Sequence, residues 1–462
     1  MFKKVLVANR GEIAVRVIRA LKEMGITSVA LYSNSDQNNL HASYADYAYS
    51  LNDDRPIDTY MNIDKIVKIA VDTGVDAIHP GYGFLSEREK FARAVEEAGI
   101  TFIGPDSKII QMMGDKIAAR KLMFSLGVPI VRGSKEPVNN INEAVKIAKK
   151  IGYPILIKAA AGGGGMGMKV ANGPEELEQV LSAVRNHAGS VFGDSSVFIE
   201  KYIQRPRHIE VQVLGDKHGN IVHLGERECS IQRRHQKIIE ESPSSVISHD
   251  ARKKMGEMAV LIARAVNYQS AGTVEFIYDN GEFFFLEMNT RIQVEHTITE
   301  MLTCIDIVKQ QISIAAGEPL PFKQEDIISK GHAIECRICA EDPLNNFMPS
   351  PGLISEYSIP GGFGVRVDSG VCKDYEVSMY FDSMLAKLIT WGENREEAIS
   401  RMHRALGEYI IEGPKTTIPY LRAVMGNKAF RDGNISTKFI EEQPHLFDEA
   451  RMYLEKANRL PL

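Results

Sequence analysis

The run Thr273-Val-Glu-Phe-Ile-Tyr-Asp-Asn-Gly-Glu-Phe-Phe-Phe-Leu-Glu-Met-Asn-Thr-Arg-Ile-Gln-Val-Glu295 brings acids, amides and an arginine to where they could handle a divalent cation and a small anion together. Asp279-Asn280-Gly281 signals a hairpin turn between two apolar runs. The register decides what chemistry is available. With a two-residue Asn280-Gly281 loop, Glu275 faces position 286 and Glu287 points to the opposite side. With a three-residue loop, Glu275 faces position 285 and Glu287 is its diagonal neighbour on the same face. The three-residue loop is expected, because only that register builds a joint site. Beyond the turn, Glu287, Asn289, Arg291, Gln293 and Glu295 recur at every second residue, so an extended chain carries them on one side. A solvent-facing strand has the same pattern, but the preceding strands are apolar on both faces, and a buried file of this kind needs partners. The oxygen-only set Glu275, Glu287 and Asn289 suits Mg²⁺ bridging nucleotide phosphates. Arg291 can grip a planar oxyanion with two N–H bonds, and Glu295 is then close enough to act as a base.

A second candidate is Ala161-Gly-Gly-Gly-Gly-Met-Gly-Met168, directly after a strand ending in Lys158. Gly162, Gly164 and Gly167 match G-x-G-x-x-G, yet strand-like residues follow where a dinucleotide site needs a helix, and no Gly-Lys-Ser/Thr closes a P-loop. What remains is a glycine hairpin whose N–H groups can close over phosphates beside the Lys158 charge. A third is Gly225-Glu-Arg-Glu-Cys-Ser-Ile-Gln-Arg-Arg-His-Gln-Lys237, a basic run flanked by Glu226, Glu228, Glu240 and Glu241. A compact polyanion site and a solvated surface fit it equally. Arg337 lies in a strand whose Ile334, Cys336 and Ile338 look buried, and its spacing suits a structural ion pair as well as a functional role.

The elements that must position these groups follow from periodicity. Residues 3–8, 28–32, 77–79 and 101–103 have strand character, and they alternate with helical spacing over 11–24, 63–71 and 91–98. The first 110 or so residues are therefore expected to be a doubly wound α/β unit, with Asn9-Arg10-Gly11 and His79–Phe84 at strand-to-helix turns on its active edge. After a helical stretch over 114–126 the pattern becomes α+β, with strands 155–158 and 168–170, and 209–214 and 221–225, pairing through turns. Short strands and Pro/Gly-rich turns follow, then helices near 394–407 and 416–425.

The bulk composition excludes several classes. Apolar residues at 44% and charged residues at 25% describe a multidomain globular chain of 462 residues. A net charge of −5 offers no overall attraction to nucleic acid or anionic lipid, so any anion must be caught locally. No apolar run approaches the ~18 residues of a membrane span, and charge returns at Arg10 and Glu12 before a signal-peptide core could form. The five scattered cysteines point to a reducing cytoplasm. Cys336 and Cys339 form a C-x-x-C on a strand, where residues three apart face opposite sides, so neither a shared metal nor a disulfide is expected.

From Lys4-Val-Leu-Val-Ala-Asn-Arg-Gly-Glu-Ile-Ala through Asn289-Thr-Arg-Ile-Gln-Val-Glu-His296 to Tyr380-Phe-Asp-Ser-Met384, the sequence closely resembles the biotin carboxylase family of ATP-grasp enzymes. The likeness covers nearly the whole chain. It implies an N-terminal α/β domain (1–113), an ATP-grasp domain (114–331) with a glycine-rich lid at about 131–204, and a C-terminal mixed α+β domain (332–446). It implies nucleotide contacts from Lys116, Lys158, Gly164, Gly165, Glu200, Lys201, Tyr202, Ile203, His208, Gln232, His235, Glu275 and Glu287. Glu275, Glu287 and Asn289 would hold two Mg²⁺ ions, for which Mn²⁺ could stand in. Lys237, Arg291, Gln293, Val294 and Arg337 would bind bicarbonate, Glu295 would be the base, and Arg337 with Tyr82 would meet biotin.

The implied reaction joins ATP and bicarbonate through carboxyphosphate and carboxylates biotin on a separate carrier protein. A carboxyltransferase subunit would serve as a further partner and a homodimer as the assembly. No Met-Lys-Met biotinylation signal or carboxyltransferase-length segment occurs in this sequence, so separate chains are expected to supply both; the final acceptor is not encoded here. Three positions depart from the family pattern: Met166 in place of a lid arginine, Thr297 in place of proline and Cys304 in place of glycine. The alternatives are an ATP-grasp ligase with another acceptor, a nucleotide-binding regulator with a dead site, and a dehydrogenase. The intact Glu275, Glu287, Asn289, Arg291 and Glu295 set argues against the regulator.

Overall fold

The computed structural model describes residues 1–457 apart from 135, 139 and 161–166, with only the backbone described at 116, 192, 456 and 457. Strands Lys4–Val7, Thr27–Tyr32, Tyr47–Ser50, Ala77–His79 and Thr101–Phe102 form an all-parallel sheet. Lys4–Val7 lies at its centre, between Thr27–Tyr32 and Ala77–His79. Sequence order therefore reverses between Lys4–Val7 and Ala77–His79, and a doubly wound sheet places its crevice outside the carboxyl ends of such strands. Asn9 stands at that point. Its Nδ2 donates to the Pro80 and Tyr82 carbonyls at 2.7 and 2.8 Å, tying together the two turns singled out in the sequence.

The second sheet has eight antiparallel strands, in the order Glu282–Asn289, Ser270–Asp279, Arg207–Gly215, Ile221–Arg233, Gln236–Ser242, His332–Cys339, Met384–Gly392, Val365–Ser369. It runs without a break across residue 331, because Gln236–Ser242 pairs directly with His332–Cys339. Alternation along these strands separates two faces. On one face Ile209, Val211, Val274 and Phe276 pack with Met255, Ala259 and Ile262 of helix His249–Ala265. Farther along the same sheet, Ile334, Cys336, Ile338 and Leu388 pack with helices Arg395–Glu408 and Ile418–Gly426. The other face carries a row of charges.

A third, three-stranded sheet of Ile155–Ala159, Met168–Ala171 and Val197–Lys201 packs with helices Ile141–Ile151 and Pro174–Phe192 around its own small core. Gly164, Gly165 and Met166 lie outside the described residues, between its first two strands. All five cysteines are free. No helix among the described residues is long and apolar enough to cross a membrane. Cys304 caps helix His296–Thr303 in the left-handed conformation at φ 57°; this is the backbone shape that glycine adopts without steric cost.

Candidate active site

The hairpin register differs from the sequence expectation. The turn is a two-residue Asn280-Gly281 loop with both residues at positive φ (48° and 88°), and Asp279 pairs with Glu282. That is the turn which, in a regular ladder, would have sent Glu287 to the wrong side. A β-bulge corrects it: Phe276 pairs with Phe285, Leu286 is the extra residue, and Glu275 then directly faces Glu287. The Phe285 N–H turns outward to the Pro129 carbonyl at 2.7 Å, which fixes the edge where the bulge forms.

The extended file over 287–295 ends early. The strand stops at Asn289, and residues 290–295 turn instead of continuing. The groups still converge. Asn289 Nδ2 and Gln293 Nε2 both donate to Glu275 Oε1, at 2.9 and 2.8 Å. Arg291 Nη2 donates to Asn289 Oδ1 at 3.1 Å, and its Nε pairs with Glu87 of the N-terminal domain at 2.8 Å. Glu295 sits at the N-terminus of helix His296–Thr303. The Val294 carbonyl accepts from Lys387 at 2.9 Å.

At the centre, the Lys237 ammonium touches three carboxylates: Glu210 at 2.6 Å, Glu275 at 3.1 Å and Glu295 at 2.6 Å. The other Glu295 oxygen accepts from Arg337 at 3.0 Å, and Arg337 Nε donates to Glu240 at 2.6 Å. Burial opposes the charge on Glu275 and Glu295, but Lys237 overcomes it. His208 assists at Glu275, Arg337 and Arg227 assist at Glu295, and both carboxyls lie well below the usual range. Both are anions at neutral pH.

Beneath them Arg227 is fully buried and donates to Glu210, Gln212, Thr273, Thr299 and Gln293, using its whole guanidinium to fix the row. His208 Nε2 lies 2.9 Å from Glu275 and its Nδ1 meets the Gln232 amide at 2.8 Å. Burial works against the imidazolium, yet the Glu275 carboxylate leaves its pKa raised.

The basic run of 225–237 is part interior and part surface. Its start is buried, whereas Arg234 and His235 form an exposed two-residue turn, both at positive φ. On the three-stranded sheet, Lys158 pairs with Glu200 at 2.7 Å and Arg120 pairs with the other Glu200 oxygen. The Lys201 ammonium is spent on the Gly152 and Tyr153 carbonyls at 3.2 and 2.9 Å. The Tyr202 ring carries Lys438 at 5.4 Å, and Ile203 is half-buried. Lys116 starts helix Lys116–Ser125, and its side chain lies outside the described set. Tyr82, in the crevice of the first sheet, donates to Glu12, which also meets the fully buried Lys387 at 3.2 Å.

Sequence reasoning missed Glu210 and Lys387, held Arg227 only as one member of the basic run, and treated Glu240 only as a flank. His208-Ile-Glu-Val-Gln212 alternates polar and apolar like the hairpin, so Glu210 was detectable by the same rule. Glu12 and Glu87 enter from the first domain and leave no local signal.

The donor chemistry suits a hard divalent cation. Glu275 faces Glu287 with Asn289 on the same side of the strand, and these offer only oxygens in a place where one carboxylate is held ionised.

Family models match nearly end to end: the biotin carboxylase N-terminal domain over residues 1–110, the carbamoyl-phosphate synthase L chain ATP-binding domain over 115–323, and the biotin carboxylase C-terminal domain over 335–442. The chain belongs to the biotin carboxylase family. It is 55% identical to one of the subunits of pyruvate carboxylase from Methanothermobacter thermautotrophicus, over 96% of its own length and 90% of that protein. It is 53% identical to biotin carboxylase 1 of Bacillus subtilis over 96% and 98%. Its fold matches the crystal structure of the 2-oxoglutarate carboxylase biotin carboxylase domain dimer from Hydrogenobacter thermophilus, in complex with MgADP, ADP and bicarbonate. That match has a TM-score of 0.93 and 53% identity, covering 97% of this chain and 99% of the other. Three domains of this family, in this order, account for both the doubly wound first sheet and the buried charge row.

Proposed function

We propose that this chain is a ligase that uses MgATP and bicarbonate to carboxylate biotin on a separate carrier protein. The observation that carries the reading is the convergence of Lys237, Glu275, Glu295 and Arg337 on one sheet face, with two anionic carboxylates held by two cations. Such a cluster can exchange its internal ion pairs for a bound anion and a bound metal. Glu275, Glu287 and Asn289 would hold Mg²⁺, whose charge offsets that of the phosphoryl group in transfer to bicarbonate.

Glu295 rests as a weak base because Lys237 and Arg337 neutralise it. Bicarbonate entering beside Arg291, Gln293 and Val294 would draw those cations away and raise the basicity of Glu295 at the moment a proton must be taken. The resulting carboxyphosphate breaks its C–O bond to give CO₂ and phosphate, and the phosphate takes the ureido N–H proton of biotin. The freed nitrogen bonds to CO₂, and Arg337 stabilises the negative charge developing on the ureido oxygen. Tyr82 lines the approach from the first domain. Lys158, Glu200–Ile203, His208, Gln232 and His235 frame the nucleotide, and the three-stranded unit serves as the lid.

The partners are a carrier protein and a carboxyltransferase subunit, the assembly is a homodimer and the location the cytoplasm, in keeping with free cysteines and with the dimer described for the 2-oxoglutarate carboxylase relative. The relatives are named for pyruvate and for 2-oxoglutarate, so the final acceptor follows from the carboxyltransferase and not from this site. The decisive experiment is ADP release with and without bicarbonate and free biotin. Release that needs bicarbonate and rises with biotin is expected; ADP release indifferent to both would overturn the proposal.

A further inference from the structure

Glu240 and Glu335 face each other directly across strands Gln236–Ser242 and His332–Cys339, and neither is exposed to solvent. Two ionised carboxylates in that arrangement would repel strongly, because cross-strand neighbours lie close and the surroundings screen poorly. One oxygen of each is already engaged. Glu240 Oε1 accepts from Arg337, and Glu335 Oε2 accepts from the Thr297 hydroxyl. The other two, Glu240 Oε2 and Glu335 Oε1, are buried without a partner among the described residues. Both belong to side chains directly opposed across one pair of strands, the arrangement in which one shared proton would satisfy two acceptors.

We propose that Glu240 and Glu335 share one proton, carried on Glu335 Oε1 and donated to Glu240 Oε2, so that the pair presents one negative charge to Arg337 and positions its guanidinium between Glu240 and Glu295. This deepens the functional reading above and rests on it for the roles of Arg337 and Glu295.

The charged neighbours fix which partner holds the proton. Arg337 contacts Glu240 through both Nε and Nη2, at 2.6 and 2.5 Å, and so stabilises the anion there. Glu240 also faces Lys237 and Glu295, while Glu335 faces Lys387 and the more distant guanidinium of Arg337. Burial pushes both carboxyls up, Glu240 to about 7 and Glu335 well above the carboxylate range. Glu335 is therefore a positioning residue that acts through Arg337. Losing its proton would add a second negative charge beside the guanidinium and pull it away from Glu295. The activity that needs Arg337 then falls as pH rises, because a group with a raised pKa holds its proton below that pKa and releases it above.

Infrared spectroscopy of the full chain at neutral pH reads this directly. The parent should show a carboxylic-acid C=O stretch that Glu335→Gln removes. An unchanged spectrum in the variant would overturn the proposal. The glutamine amide can still donate to Glu240 and accept from Thr297, so kcat for biotin carboxylation should stay within about threefold at pH 7, and its alkaline decline should move to higher pH. A loss of ~10²-fold with an unchanged melting temperature would mean that a negative charge is needed at 335, which refutes the shared proton. Thr297→Val provides a second route that leaves both carboxyls in place: the band should persist at a shifted frequency, and an unshifted band would overturn the assignment of the proton to Oε1. The infrared band does not depend on turnover, so a present band in a chain without biotin-dependent activity would fault the function and leave the pair standing.

Discussion

Two charge clusters, on two different sheets, solve opposite charge problems. On the three-stranded sheet one carboxylate, Glu200, lies between two cations, Lys158 and Arg120. On the eight-stranded sheet one cation, Lys237, lies among three carboxylates, Glu210, Glu275 and Glu295. The first cluster sets two cations on one carboxylate and suits phosphate oxygens; the second gathers three carboxylates about one ammonium, each with a further cation behind it in Arg227, His208 or Arg337, and suits a metal that takes the place of the ammonium. Burial sharpens the contrast. Lys158 and Arg120 are 21% and 16% exposed, whereas Glu210 and Glu295 are at most 2% exposed, so solvent screens the paired cations of the first cluster better than it screens those two acids of the second.

Removing the central cation tests this most severely. Lys237→Met leaves three buried carboxylates facing each other and should cost about 3–5 kcal/mol of stability as well as the activity. Mg²⁺ should restore part of that loss in denaturant unfolding, since a divalent ion can take over the role of the ammonium. Equal stability of variant and parent without metal would mean that the three acids are not jointly charged.

Glu287→Gln should next lower bicarbonate-dependent ATP cleavage by ~10²–10³-fold with a small change in melting temperature, because it removes a metal charge and keeps the shape. Titration of the rate with Mg²⁺ should show a higher requirement, and an unchanged requirement would remove Glu287 from the metal set. Arg337→Gln should reduce biotin carboxylation by ~10²-fold and spare more of the ATP cleavage. ADP and carboxybiotin measured on one preparation check the split; parallel loss of both with a fall in melting temperature would make Arg337 an ion-pair scaffold. The smallest effect belongs to the first cluster. Glu200→Gln leaves two cations that water can screen, so a stability loss of about 1 kcal/mol and a rise in KM for ATP of several-fold are expected. A loss as large as that of Lys237→Met would erase the distinction between the two clusters.

Four strands of the first sheet were legible in the sequence because parallel strands buried on both faces alternate with amphipathic helices, and Asn9 and Tyr82 fell at the predicted turns; the exposed edge strand Tyr47–Ser50 was missed, since it lacks a buried apolar run. The hairpin was legible in its outcome and not in its path. Glu275 and Glu287 were expected together, but through a three-residue turn that the chain does not use. Counting by twos cannot register a bulge, whose place is set by a long-range contact between Phe285 and Pro129. The file from Asn289 to Glu295 likewise named side chains that do converge, on a backbone that turns where an extended one was expected. Glu12, Glu87 and Lys387 complete the site from distant segments, and periodicity within one segment carries no information about them. Arg337 stayed ambiguous because it makes ion pairs and also points into the site.

The uninterrupted eight-stranded sheet also bears on synthesis. Strand Gln236–Ser242 has its inner partner from the preceding hairpin, but its other edge stays open until His332–Cys339 has been made. At translation speeds of about 5–20 residues per second, that edge waits several seconds on the ribosome, and its Ile238 and Ile239 are the kind of residues that recruit a foreign strand. A chain cut near residue 331 would keep the edge open permanently. Such a fragment should accumulate in aggregates, even though the residues it retains include the hairpin, Lys237 and Glu295.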